Sequence, residues 1–386
     1  MEEGRRMVEV TVGGETFKIE WINSIFLVLT PPLALFLAIW HGLTYGIGWL
    51  ELIIFFVMYY ACGLSITVGY HRLFAHRSHE ARWPLRLLYA LFGAGAFENS
   101  VLEWCSDHRH HHRDTDGGED PYDASKGFLW SHMLWILLKP TDDTPDFSNV
   151  RDLEKDWILR FQHRHIFLLG FLVGMVLPAA VGYAIAGVGG AIGGFIWGGL
   201  IRTVWVHHGT FLINSAAHVW GSQPYSDKNT SRDNPFLAFF TFGEGYHNFH
   251  HAFQADYRNG HRWWQFDPTK WWIRAWSAVG LNRNLKRTPK WSIEIARMDM
   301  AYKRAQGTEV EEESAFRSRA DACREAVKRA WREIDRQKVA MKAATKATKK
   351  QFLAKIEQAK LNLASVRQDF SLLLHEMSAP NSVAVA

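Results

Sequence analysis

The sequence predicts an all-α integral membrane protein with four transmembrane helices, a histidine-rich helical cap on one side of the membrane, and a C-terminal helical extension. Three observations carry this. Hydrophobic residues make up 48% of the 386 residues, yet mean hydropathy is only −0.15, so apolar and charged residues are segregated along the chain. Four stretches of bilayer-spanning length are almost free of charge. Most of the 19 histidines fall in clusters outside those stretches.

Residues 1–20 are charged and lack the short apolar core and small-residue cleavage site of a signal peptide, so they are expected to form a cytoplasmic segment. Apolar runs follow at about 22–40, which contains Pro31–Pro32, and at 50–68, 166–186 and 188–206. Each approaches the roughly 20 residues that cross a bilayer core. Proline and glycine are tolerated there because neighbouring helices satisfy the freed backbone groups. The stretch Trp83–Trp104 carries Arg86, Glu98 and Glu103 and reads as one amphipathic or interfacial helix. Trp263–Trp276, broken by charges and Pro268, reads as a surface element with rings dipped into lipid.

The 14% aromatic content, with 18 Trp and 25 Phe, suits lipid interfaces or an apolar tunnel. Cys62, Cys105 and Cys323 lie too far apart for a disulfide scaffold or a CxxC-type zinc site. The net charge of +5 belongs to the tail, since residues 301–386 hold 17 Lys/Arg against 11 Asp/Glu. No nucleic-acid-binding motif accompanies it, and no nucleic-acid partner is expected.

The histidines fall after the second span (His71, His76), before the third (His108, His111, His112) and after the fourth (His218, His247, His250, His251). An even number of crossings separates every pair of groups, so all can face one compartment. Lys139, Arg151, Lys155, Arg160 and Arg164, with the basic tail, mark that compartment as cytoplasmic.

At 100° per residue, His71 and His76 lie about 140° apart on an α-helix, so they are expected to reach different metals or to straddle a helix end. His108, His111 and His112, and likewise His247, His250 and His251, occupy positions i, i+3 and i+4 of one helical face, and each triplet is expected to act as a three-imidazole claw. His110, at i+2, points away. Eight clustered histidines exceed what two catalytic zinc sites with three protein ligands each would use. Imidazole suits iron, copper, nickel and zinc alike. A membrane setting without a hydrolytic acid/base pair favours redox iron. Asp107, Asp114, Asp116 and Glu244 are expected to accept from imidazole N–H groups.

Gly69-Tyr-His-Arg-Leu-Phe-Ala-His-Arg-Ser78, Asp107-His-Arg-His-His-His112 and Gly243-Glu-Gly-Tyr-His-Asn-Phe-His-His251 resemble the three histidine boxes of membrane fatty-acyl desaturases of the acyl-CoA Δ9 type. Asn214-Ser-Ala-Ala-His218 is similar to that family's additional ligand segment. Asp120-Pro121 and Gly127-Phe-Leu-Trp-Ser-His132 match the family's spacing after the second box. The resemblance covers residues 20–285. It implies a non-haem di-iron centre held by His71, His76, His108, His111, His112, His218, His247, His250 and His251, with Asn214 acting through a metal-bound water.

The implied activity uses O2 and two electrons to place a cis double bond, at Δ9, in a saturated acyl chain held in a bent apolar tunnel. Aromatic residues of the second and fourth spans and of Trp83–Trp104 are expected to form its walls. Where family acyl-CoA enzymes carry an Arg-Asp pair, this chain reads Ser106-Asp107, and a later basic pair reads Ser125-Lys126. Asp107 and Lys126 are therefore the headgroup candidates. Acyl-CoA is the first choice of substrate, with lipid-bound and acyl-carrier-protein-bound chains left open.

No His-Pro-Gly-Gly haem segment and no cysteine set for an iron–sulfur or rubredoxin centre occurs, so electrons are expected from a separate ferredoxin, rubredoxin or cytochrome b5-like carrier with its reductase. The rival readings are a di-iron hydroxylase or ketolase and, outside enzymes, a metal transporter, which would need polar groups at the bilayer midplane.

The expected organisation is an N-terminal segment (1–20), a membrane desaturase domain (21–285) and a cytoplasmic basic helical tail (286–386). The tail's composition favours helix, with an acidic run at 309–313 and a basic block at 342–350 that suggests a docking surface. The runs Asp256-Tyr-Arg-Asn-Gly260 and Asp267-Pro-Thr-Lys270 lean the localisation towards a bacterial inner membrane, with both termini cytoplasmic.

Overall fold

The computed structural model describes residues 9–12, 14–141, 146–306 and 313–378. The chain is mostly helical and divides into two units. One comprises the residues up to Ser222 with Asn229–Arg287, the other Gln223–Lys228 with the chain from Thr288 onward.

In the first unit, strands β1 (Glu9–Val12) and β2 (Glu15–Ile19) form an antiparallel hairpin. An all-α reading had no place for it. Strand β4 (Leu138–Pro140) adds to β2, and β3 (Glu80–Ala81) pairs with β5 (Asn282–Arg283). Helix α1 (Trp21–Tyr45) carries Pro31–Pro32 inside it. Helix α2 (Trp49–Leu64) starts on a capping interaction, with Gly48 N donating to Glu51 Oε2 at 2.9 Å, and passes without a break into a π-helical stretch, Ser65–Ala75.

Among the described residues, three helices are long and apolar enough to cross a membrane: Trp21–Tyr45, Trp49–Ala75 and a 54-residue stretch, Ile166–Val219. A straight helix of that last length would extend ~80 Å, far beyond a hydrocarbon core of about 30 Å. It is in fact broken. Ala186 and Gly187 leave helical geometry, Gly187 at φ +61°, inside helix α5, whose bounds are Leu177–Gly193. The two sides then meet at glycines. A Cβ on Gly182 would lie 1.9 Å from the Gly190 carbonyl oxygen, and one on Gly194 would lie 2.2 Å from that of Pro178. Large apolar side chains on α1 and on this stretch, such as Phe36, Leu43, Phe167 and Val188, are exposed, as lipid-facing surfaces are.

The stretch after the break leads into α6 (Arg202–Asn214). Arg202 is fully buried and donates to the carbonyls of Gly95, Gly174 and Gly198 at 2.6, 2.8 and 3.0 Å. It clamps α6 to its neighbours by satisfying carbonyl oxygens that have no water to turn to.

The expected single helix over Trp83–Trp104 is two helices in the structure. Helix α3 (Trp83–Ala94) ends at Gly95, and α4 (Val101–Arg113) starts on a Ser100/Glu103 capping box. The connection holds two non-glycine residues at positive φ, Phe97 (+60°) and Asn99 (+66°).

The second unit is helical: α7 (Lys290–Ala305), α8 (Glu313–Lys342) and α9 (Lys346–Ser378). Its core includes Tyr302, Val327, Ile334, Ile356, Leu363 and Leu373. Of the tail's apolar side chains, Val327, Ala330, Ile334, Ile356 and Leu363 are buried, while Leu361 is exposed. The acidic run at 309–313 lies outside the described residues apart from Glu313, where α8 begins.

Gly182→Leu is expected to drive the two sides of α5 apart and to destabilise the protein by about 1–3 kcal/mol. The check is the thermal midpoint of the detergent-solubilised protein. Gly189→Leu, whose Cβ would meet only Tyr45 at 3.8 Å, should leave that midpoint nearly unchanged.

Candidate metal centre

The nine histidines singled out in the sequence converge in two groups, His71, His76, His108, His112 and His250, and His111, His218, His247 and His251. Within each group the candidate ligand atoms all lie within 4.8 Å of one another. Their distribution departs from the helical-wheel expectation in two ways.

First, His71 and His76 belong to the same group, with ring centroids 4.7 Å apart. The cause is the π-helix, which closes each turn with an i→i+5 bond. His76 N donates to His71 O at 3.0 Å, so position 76 returns to the face of position 71. Second, each triplet is divided between the groups. His108 and His112 join one and His111 the other, and His250 is separated from His247 and His251. Positions i+3 and i+4 flank position i on opposite sides, so a triplet bridges two sites. His110 belongs to neither group.

The rings are oriented from outside. Glu244 Oε2 lies 2.9 Å from His71 Nδ1, Asp120 lies 2.8–2.9 Å from His111 Nδ1, and Tyr122 Oη lies 3.0 Å from His108 Nδ1. Thr230 Oγ1 lies 2.8 Å from His218 Nδ1 and donates to Asp116. An acceptor on Nδ1 fixes the proton there and leaves the Nε2 lone pair facing inward. Of the four carboxylates expected in this role, Glu244 acts directly and Asp116 through Thr230. Asp114 instead accepts from Glu119 N, and Asp107 lines the adjoining cavity. Asp120 and Tyr122 were overlooked, although Asp120 stands in a motif noted for its spacing.

Glu244 is itself held in place. Arg72, one residue after His71 and buried, donates to Glu244 Oε1 at 2.8 Å, to Asp267 Oδ2 at 3.1 Å and to Tyr257 O at 2.8 Å. Burial would push the Glu244 carboxyl up, but Arg72 and His71 beside it hold it below the usual carboxylate range.

Nε2 atoms face one another at 2.8–3.2 Å, as in the pairs His76–His108, His112–His250, His71–His250, His218–His247 and His111–His251. Burial first, and neighbouring histidines second, hold His76, His108, His112, His247, His250 and His251 well below the ordinary imidazole range, so these rings are neutral. Inward lone pairs at such spacing repel unless a cation sits among them. Imidazole nitrogens bind first-row ions at about 2.0–2.1 Å, so neighbours at right angles lie ~3.0 Å apart and tetrahedral neighbours ~3.4 Å. The observed spacing and the five-membered group fit metal coordination higher than tetrahedral.

One cavity adjoins both groups. His71, His108, His247 and Asn214 line it beside Phe26, Phe97, Trp104, Trp135 and Phe211. The aromatic walls thus come partly from Trp83–Trp104, as expected. Phe26 comes from α1, and the second span contributes Ile66 and Thr67 instead of rings. Lys126 is not at this cavity. The turn at Ala124–Lys126 ends on Gly127 at φ +108°, and Lys126 pairs with Glu15 of the β1–β2 hairpin at 2.8 Å, beside a separate pocket. The lysine on the main cavity is Lys139, with Asn23 nearby. In the sequence reading Lys139 served only as a topology marker.

The family description "Fatty acid desaturase" matches residues 47–282. The chain belongs to the fatty acid desaturase family. It is 44% identical over 288 residues to acyl-CoA desaturase 1 of Saccharomyces cerevisiae, covering 74% of this chain and 55% of that protein. To a probable acyl-CoA desaturase of Schizosaccharomyces pombe it is 44% identical over 240 residues, 61% and 49% of the two chains. The sn-1 stearoyl-lipid 9-desaturase of Anabaena variabilis is 32% identical over 275 residues, 71% of this chain and 96% of that one. The chain spans about half the length of the two yeast relatives.

Removing the acceptor on His111 tests how these rings are oriented. Asp120→Asn is expected to weaken metal retention about 10–100-fold, read as metal content after graded chelation. Asp114→Asn, which touches no ring of the centre, should behave as wild type.

Proposed function

We propose that this chain is an O2-dependent fatty-acyl desaturase that introduces a cis double bond at Δ9 of a saturated chain carried by CoA. The observation that carries the reading is the convergence of nine inward-facing imidazoles on one apolar cavity. The names of the relatives agree with it, two being acyl-CoA desaturases and one a lipid 9-desaturase.

In this reading His71, His76, His108, His112 and His250 hold one iron, and His111, His218, His247 and His251 the other, with Asn214 acting through water. Bound there, two irons supply the oxidising power to remove hydrogen atoms from an unactivated methylene, O2 being reduced to water with two electrons and two protons from outside. The protein's part is placement. Glu244, Asp120, Tyr122 and Thr230 keep the ring protons on Nδ1. The apolar walls exclude water and align the chain, and since every methylene is chemically alike, the site of attack is set by how far the chain threads past the centre. Asp107, Lys139 and Asn23 are the candidate headgroup contacts, and a lysine provides the charge that phosphate recognition needs.

The break at Ala186–Gly187 supports four membrane crossings, and the basic flanks Lys139, Arg151, Lys155, Arg160 and Arg164 favour the cytoplasmic side for the metal centre. The relatives named above include yeast proteins and give no support to a bacterial inner membrane in particular, so the localisation proposed is an integral membrane protein.

A separate electron carrier is proposed to dock on the tail. Exposed Lys342, Lys349 and Lys350 at the α8–α9 turn favour an acidic partner. Reversing these three charges to Glu should raise the KM for the carrier several-fold and reduce its salt sensitivity, with acyl-chain binding unchanged. Steady-state kinetics at two ionic strengths would measure this, and an unchanged KM would exclude the tail as the dock.

The function itself is tested by the fatty-acid profile of a host lacking Δ9 desaturation, with double bonds located by derivatisation and mass spectrometry. Wild type should yield a cis-Δ9 monoene that His250→Ala abolishes. A hydroxylated product without an alkene would overturn the reading.

A further inference from the structure

Three carboxylates line the main cavity: Glu98, Asp107 and Glu244. Glu244 is neutralised by Arg72. Glu98 pairs with no cation among the described residues. It accepts from Thr210 Oγ1 of α6 at 2.8 Å and from Trp104 Nε1 of α4 at 3.2 Å, and so straps the two helices together across the cavity wall. It sits between Phe97 and Asn99, both at positive φ, a backbone arrangement that persists only where the surroundings hold it. Further bonds over-determine the loop. Arg202 donates to Gly95 O, and His207 Nε2 to Ala96 O at 2.8 Å.

The titratable groups around Glu98 do not compensate its charge. Cys62 of α2 and Tyr70 of the π-helical stretch are buried beside it and carry no positive charge. Glu103 of α4 is bonded to Ser100. Arg202 and His207 of α6 are engaged by carbonyls, and Asp107 across the cavity is itself acidic. Burial pushes the Glu98 carboxyl up to about 7, with Thr210 and Trp104 drawing it down.

We propose that Glu98 is a positioning residue that works as a neutral carboxylic acid, so that entry of an apolar chain into the cavity requires uptake of one proton whenever Glu98 is ionised. The inference rests on the reading that this cavity holds the acyl chain. A chain that displaces water from an ionised Glu98 leaves a carboxylate against methylenes, at high cost. The neutral form has no such penalty. Its O–H turns to Thr210 Oγ1, whose hydroxyl reverses its role, while the Trp104 bond is kept. The sign follows from this. A carboxyl that must be neutral in the occupied state favours binding below about pH 7 and opposes it above.

Calorimetric titration of the membrane-embedded enzyme with stearoyl-CoA, in buffers of different ionisation enthalpy from about pH 6 to pH 9, counts the protons directly. Wild type is expected to lose affinity above about pH 7, approaching tenfold per pH unit, with uptake rising towards one proton per chain. E98Q offers an amide to the same two partners and should bind evenly across the range without that uptake. A flat wild-type profile, or the same slope in E98Q, overturns the inference while leaving the function intact. Failure of stearoyl-CoA to bind either protein at any pH overturns both. Should E98Q fold poorly, the wild-type proton count decides alone.

Discussion

The arrangement of histidines able to hold metal depends on one buried cation. Arg72 joins the first histidine segment to the third by holding Glu244, three residues before His247, and it reaches Asp267 and the carbonyl of Tyr257 as well. Asp267 in turn accepts from the backbone N–H groups of Asn259, Gly260 and Lys270, and so organises the loop after the third segment. Removing one partner of such a buried pair costs about 3–5 kcal/mol, whereas an apolar replacement of the whole network would satisfy stability equally well. Its value is positional. It fixes the tautomer of His71 and the register of the segment that supplies three further imidazoles.

The same economy runs through the rest of the centre. Neutral rings with inward lone pairs have no attraction for one another, so their convergence is imposed by helices packed elsewhere and by Nδ1 partners at the rim. A bound cation converts that imposed arrangement into a favourable one, which makes metal affinity and local folding two sides of one free energy. The long apolar helices contribute rigidity. Arg202 spends all its hydrogen bonds on backbone carbonyls of adjoining segments, holding the strained loop with Phe97 and Asn99 against the cavity.

Much of this was legible in the residues. The four apolar runs, the identity of the nine histidines and the helical tail follow from local composition and short-range spacing, because hydropathy and motif order are properties of the linear chain. Other features were not. The π-helical register that brings His76 over His71 leaves no mark on a helical wheel drawn at α-helical pitch. In the sequence Lys126 stands as the headgroup candidate and Lys139 only as a basic flank, and it is the turn ending at Gly127 that carries Lys126 to Glu15 while Lys139 meets the cavity.

Asp120 and Tyr122 show the same limit from another side. They are ordinary residues after a histidine segment until the fold turns them beneath His111 and His108. Glu98 reads as a polar interruption in an aromatic stretch until Thr210, over a hundred residues away, closes on it. The linear sequence determined which side chains could bind metal and which segments prefer lipid, since both are set by side-chain chemistry and nearest-neighbour periodicity. The tertiary structure alone decided how the imidazoles divide between two sites, which carboxylates are neutralised and which lysine meets the cavity. Those outcomes depend on long-range packing that brings together residues distant in the chain.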